Sequence, residues 1–166
     1  MDHRRRHLRR SARGLVVDEN GDVLLVSQRT MLGEPAWCTP GGGIRPGESL
    51  AHTLIRELYE ELGVVLPESA IIRTAWVVEV EVPGMPDGFT GVREHVLLVR
   101  VNRFLPRSPL ELHDPAHPLN EGITEARWWS LPDLQSAWSA GLLMLPADLP
   151  IRIGNIVRPG EPDRLS

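Results

Sequence analysis

Two apolar, β-branched runs flank Asn20-Gly21 in "ARGLVVDENGDVLLVSQ". That dipeptide accepts the positive φ angles of a tight turn, so a hairpin is predicted with strands near 12–18 and 22–28. The stretch "RTMLGEPA" then reads as a loop into "WCTPGGGIRPGE", whose three successive glycines and two prolines are expected to form no regular element but a loop that approaches a ligand closely. Ser49 is a candidate cap for the helix "LAHTLIRELYEEL", and Gly63 suits its left-handed stop. At roughly 100° per residue, Ala51, Leu54, Ile55, Leu58 and Leu62 share the face predicted to enter the core. Long strands follow at 71–82 and 93–102, split by the loop "PGMPDGFTGV". After the irregular segment "RFLPRSPLELHDPAHPLNEGITE" the pattern predicts a short strand at 126–129. A helix near 131–140 comes next, with Ser130 as cap and Pro132 in its first turn, and one more helix is expected in the tail.

A chain of 166 residues fits one domain, and its 42% hydrophobic and 24% charged residues place it among folded globular chains. Its net charge of −4 conceals a split: six of the 18 arginines lie at positions 4, 5, 6, 9, 10 and 13. We therefore expect a basic, flexible tail over 1–11, a domain over 12–157 and a flexible end over 158–166. There is no lysine at all, which excludes Schiff-base enzymes, phosphate-loop lysines and lysine general bases. The single cysteine, Cys38, excludes an internal disulfide and a multi-cysteine zinc site, and it reads as a small buried residue. No apolar run reaches the roughly 18 residues of a membrane span, and the N-terminal segment lacks the apolar stretch of a signal peptide, so a cytoplasmic location without membrane contact is expected.

Within the helix, Glu57, Glu60 and Glu61 crowd one stripe at spacings i, i+3 and i+4, where like charges repel. A solvated acidic face would explain this, and so would a cage of oxygen ligands for a hard cation such as Mg²⁺ bridging protein to substrate phosphates. The loop upstream favours the cage. Gly42, five residues, Glu48, seven residues, then Arg56-Glu57-Leu58-x-Glu60-Glu61-x-Gly63-Val64 reproduces in full the pattern G-x5-E-x7-R-E-U-x-E-E-x-G-U, U being apolar, that marks the Nudix hydrolases. The chain resembles that family over about residues 12 to 140, including the hairpin, the "W-x-x-P-G-G-G" entry and the "RWWSL" turn.

The resemblance implies an α/β/α sandwich around a mixed β-sheet, and a substrate made of a nucleoside diphosphate linked to another moiety. It also implies that Glu57, Glu60 and Glu61 ligate Mg²⁺, or Mn²⁺, with help from the Gly41 carbonyl. Arg56 and Glu48 would orient these ligands, an arginine being shaped to hold a carboxylate bidentately. Gly42 and Gly43 would let the chain turn beside the substrate. Arg45 and Arg29 are candidate phosphate contacts, as are Arg93 and Arg127. Divalent ions that offset the charge of a diphosphate make metal-assisted hydrolysis of a phosphoanhydride the natural chemistry, with Glu57 or a carboxylate outside the motif as general base. Glu121 and Glu125 are both available for that role. Glu121, ahead of a glycine in a loop, is preferred.

The leading expectation is a (d)NTP, or a modified one, cleaved to monophosphate and pyrophosphate. ADP-ribose or a nucleotide sugar is the competing substrate class, and a nucleotide- or nucleic-acid-binding module without catalysis is the other reading. The intact carboxylates weigh against nucleic acid as a partner, since they repel anions without metal. A homodimer is suggested by fold-level analogy alone. Among the aromatics, Trp37, Trp76, Trp128 and Trp129 read as packing residues, with one of them or Phe89 available to stack a base.

Overall fold

The computed structural model describes residues 6–30 and 33–157. Seven strands form one mixed sheet in the order β3-β2-β1-β6-β5, with β4 pairing β1 and β7 pairing β2. These are β1 (Leu8–Val17), β2 (Val23–Arg29), β3 (Pro35–Cys38), β4 (Gly41–Gly43), β5 (Ile71–Glu81), β6 (Gly91–Arg100) and β7 (Ile123–Trp129). Strand β1 runs parallel to β6 and antiparallel to β2 and β4. The helices are α1 (Leu50–Leu62), α2 (Leu131–Ser139) and α3 (Leu149–Ile156).

The alternation along the central strands decides where each helix packs. Leu15 and Val17 of β1, with Val96 and Leu98 of β6, join Leu131 and Leu134 of α2 and Leu149 and Ile153 of α3 in one core. Ala12 and Val16, with Leu97 and Val99, join Leu54, Leu58 and Leu62 of α1 in the other. Side chains on a strand point alternately to opposite faces, so one sheet feeds two cores and the expected α/β/α sandwich follows. Gly14 lets α1 press onto the sheet, since a Cβ there would stand 3.3 Å from the Leu54 methyl.

The predicted caps are in place. Ser49 accepts from the His52 N–H at the start of α1, and Gly63 ends that helix at φ 73°. Ser130 accepts from the Asp133 N–H at the start of α2. In the hairpin turn, Gly21 takes φ 82°, while the buried Asp18 carboxylate accepts from the backbone of Asn20 and Asp22, each at 2.9 Å.

Several elements differ from the sequence reading. The triglycine segment is not a loop: Gly41–Gly43 forms β4, paired with Arg13 to Ser11 of β1. A ladder needs only backbone groups, which glycine supplies. The first strand begins at Leu8, because the polar stretch before the apolar run still pairs with β6 from Gly91 onward. The strand near 126–129 extends back to Ile123, which places Glu125 inside β7 opposite Ser27. Expectations for residues 1–5 and 158–166 fall outside the described residues. No helix among the described residues is long and apolar enough to cross a membrane.

Candidate active site

Helix α1 lies across β4 with its acidic stripe turned toward the glycines. Thr53, Glu57 and Glu61 are buried on this helix alongside Leu54, Leu58 and Leu62. Gly42 is what allows the approach: a Cβ there would collide with the Glu57 carboxylate. From the neighbouring position, the Gly41 N–H donates to Glu61 Oε2 at 3.2 Å.

One guanidinium organises the cluster. Arg56 grips Glu48 bidentately, Nε to Oε1 at 2.7 Å and Nη2 to Oε2 at 2.9 Å. Its Nη1 donates to Glu57 Oε1 at 2.8 Å and to Glu60 Oε2 at 3.2 Å, and its Nη2 reaches the Gly43 carbonyl at 3.2 Å. Glu48 also accepts from Thr53 Oγ1 at 2.8 Å and from the Arg45 N–H at 3.0 Å. The Arg56 contact, aided by these bonds, holds the Glu48 carboxyl down at about 2. Glu48 is thus a fixed anion that anchors Arg56, and Arg56 in turn aims Glu57.

The 3₁₀ turn Pro118–Glu121 ends at Gly122 with φ 83°, and this left-handed stop delivers Glu121 to the same place. Carboxylate oxygens of Glu57, Glu61 and Glu121 lie within 4.8 Å of one another. Burial pushes Glu61 up to about 8, with the Glu57 charge as the next cause. Desolvation also raises Glu57, and it raises Glu121 together with the charges of Glu57 and Glu60. Carboxyls so converged and desolvated gain by sharing a cation, and an all-oxygen donor set suits a hard divalent ion. Glu60 stands beside this group rather than in it, paired to Arg56 and 3.8 Å from Arg45.

The carboxylates border a cavity of about 450 Å³ lined also by Gly41, Gly42, Gly43, Arg45, Arg9, Ser11, Arg13, Gln28 and Glu94. Of the arginines named from sequence, Arg45 lines this cavity. Arg29 sits against Gly122 and lines a smaller void of about 90 Å³ next to it. Arg93 pairs with Glu79, and Arg127 lies 3.9 Å over the Trp129 ring. Glu125, in β7, is not part of the carboxylate group. Trp37 and Trp129 pack edge-to-face in the core, and Phe89 stacks on His7. Cys38 is buried, and desolvation pushes its thiol up to about 11, as befits a packing residue.

The sequence reading missed Arg9, Ser11, Arg13, Gln28 and Glu94. Arg9, Ser11 and Arg13 recur at every second position, the period of one strand face, but the signal is visible only once β1 is known to begin at Leu8.

The protein is thus of the α/β class, a mixed sheet between helical layers, with a cluster of carboxylates beside an arginine- and glutamate-lined cavity. The NUDIX domain profile matches residues 7–146, and the chain belongs to the Nudix family. It is 34% identical over 77 residues to the nucleoside triphosphatase NudI of Enterobacter sp. (strain 638), covering 45% of this chain and 55% of that protein. Over 62 residues it is 36% identical to the RNA pyrophosphohydrolase of Vibrio cholerae serotype O1, covering 37% of this chain and 35% of that protein. The chain thus spans about half or less of the length of these curated relatives. The fold is similar to that of the MutT protein from Methanosarcina mazei Go1, with a TM-score of 0.64 at 21% identity, covering 91% of this chain and 96% of that one.

Proposed function

We propose that the protein is a metal-dependent pyrophosphohydrolase that cleaves the phosphoanhydride of a nucleoside diphosphate linked to another moiety, with a (d)NTP or modified NTP as the favoured substrate, giving a nucleoside monophosphate and pyrophosphate. The observation that carries this reading is the convergence of Glu57, Glu61 and Glu121 within 4.8 Å beside the glycine strand. These three, with Glu60 alongside and the Gly41 carbonyl, would hold Mg²⁺ or Mn²⁺. Such an ion supplies charge neutralisation for the diphosphate and acidifies a water for attack at phosphorus.

The chain's own groups do the rest. Arg56, pinned by Glu48, keeps Glu57 aimed at the β4 edge, which fixes reactive geometry before substrate arrives. Burial raises the carboxyls of Glu57 and Glu121 above the ordinary carboxylate range, which makes each a stronger base toward the attacking water. Gly42 and Gly43 line the cavity, and their missing side chains let the Glu57 carboxylate and the Arg9 guanidinium close in on the β4 backbone. Arg45, exposed at the rim, supplies positive charge to the outer phosphate. The names of the relatives, a nucleoside triphosphatase and an RNA pyrophosphohydrolase, support a nucleotide phosphoanhydride as the bond cleaved.

Replacing Glu60 or Glu61 by Gln tests this reading. Metal-dependent turnover should disappear while circular dichroism shows an intact fold, and undiminished turnover in Glu61→Gln would refute it.

A further inference from the structure

On the β1–β6 side, the cavity has a wall that the proposed hydrolysis does not use. Ser11 of β1 and Glu94 of β6 are register partners. In parallel strands such partners emerge side by side on one face, about 4.8 Å apart. Both line the cavity, next to Val92 and Gln28.

Glu94 is a held anion. Arg13 Nε donates to its Oε1 at 2.7 Å, and Arg13 is itself tied by Nη1 to the Thr39 carbonyl at 2.8 Å. The second oxygen, Oε2, accepts no hydrogen bond from the described residues. Ser11 is 4% exposed, and its Oγ has no partner among the described residues. A buried hydroxyl left unpaired is costly, and in a residue that lines a cavity it is a group that a ligand can satisfy. Among the described residues no aromatic ring lines the cavity, so whatever binds here is read by its edge rather than by stacking.

We propose that Glu94 Oε2 and Ser11 Oγ form a specificity-determining pair that selects guanine nucleotides, with Arg13 as the positioning residue. Two neighbouring acceptors match two neighbouring donors. Among the common bases, guanine alone offers N1–H beside N2–H. Adenine and cytosine place a lone pair next to the amino group, which a carboxylate repels, and uracil has one N–H between two carbonyls. Hypoxanthine keeps N1–H and lacks the second donor. This inference rests on the nucleotide reading of the cavity made above, and it concerns the base rather than the phosphates.

The test is calorimetric binding of GMP, IMP and AMP to the whole chain in EDTA, where no turnover occurs. GMP should bind roughly 10- to 100-fold tighter than IMP, the range expected for one additional hydrogen bond to a fixed polar pair. Ser11→Ala should shrink that preference to within about 3-fold while leaving AMP binding unchanged. Its fold is secure because only an unpaired hydroxyl is removed. Glu94→Gln should abolish the preference, with a thermal melt to verify that Arg13 tolerates the loss of its partner. GMP binding no tighter than IMP or AMP, undetectable GMP binding, or a full preference in Ser11→Ala would overturn the proposal. A guanine preference without metal-dependent turnover would sink the hydrolase reading and leave this pair standing. Turnover without base preference would do the reverse.

Discussion

Replacing Glu61 by Gln should make the metal-free protein more stable at pH 8, although it removes a group the chemistry needs. Glu61 is 5% exposed, and burial beside Glu57 raises its carboxyl from the ordinary 4.5 to about 8. In the unfolded chain this group ionises near 4.5, so between that pH and 8 the unfolded state binds fewer protons than the folded state. Stability from this group is therefore full below pH 4.5 and is lost as pH rises through about 8. At about 1.36 kcal/mol per pH unit, the cost at pH 8 is on the order of 3–5 kcal/mol. Gln keeps the shape of the side chain and an oxygen for the Gly41 N–H, now 3.2 Å away, without the charge. For a chain of this size about 1 kcal/mol moves Tm by roughly 2–4 °C. Metal-free Glu61→Gln should thus melt roughly 6–20 °C above the parent at pH 8, and the gap should close toward pH 5. Melting curves in EDTA at pH 5, 6.5 and 8 read this directly. Mg²⁺ should then raise Tm in the parent and not in the variant, because only the parent retains the ionised ligand. A variant melting at or below the parent at pH 8 would refute the reasoning.

Gly42→Ala should spare the backbone but drive its Cβ to within 2.6 Å of the Glu57 carboxyl carbon, lowering kcat/KM by about 100-fold with little change in Tm. Gly41→Ala should instead destabilise the fold, since Gly41 sits at φ 137° against the Ala12 backbone, and a drop in Tm by calorimetry checks it. Arg56→Lys cannot bridge Glu48, Glu57 and Glu60 together, so half-saturation should need about 10-fold or more Mg²⁺ in a metal titration of turnover. Glu121→Gln, at an exposed position, should leave Tm unchanged and abolish the rise of rate with pH that accompanies ionisation of a raised carboxyl, as read from a pH–rate profile.

The sequence made α1 legible to the residue, because its start and stop are encoded locally by the Ser49 cap and the left-handed Gly63. The hairpin was equally local, resting on Gly21. What escaped was set by pairing at long range. Nothing in a run of three glycines announces a strand, since their ladder partners Ser11 to Arg13 lie some thirty residues away. A longer separation, 81 residues, hid Glu94, whose importance comes from Arg13 across the β1–β6 ladder. Glu57 and Glu61 could be placed on one stripe from helical spacing, but their burial depends on the missing Cβ of Gly42 and on the Gly41 N–H. Glu121 was reachable because a glycine after a polar turn signals a left-handed stop, and that stop turns the carboxylate toward the helix.

The most direct test is product analysis with nucleoside triphosphates, ADP-ribose and nucleotide sugars as substrates, run with Mg²⁺ and again with EDTA. The expected result is a nucleoside monophosphate with pyrophosphate, or with the other phosphorylated half, released only when metal is present. Folded, Mg²⁺-loaded protein that cleaves none of these compounds, or that cleaves one equally well in EDTA, would contradict the hydrolase assignment.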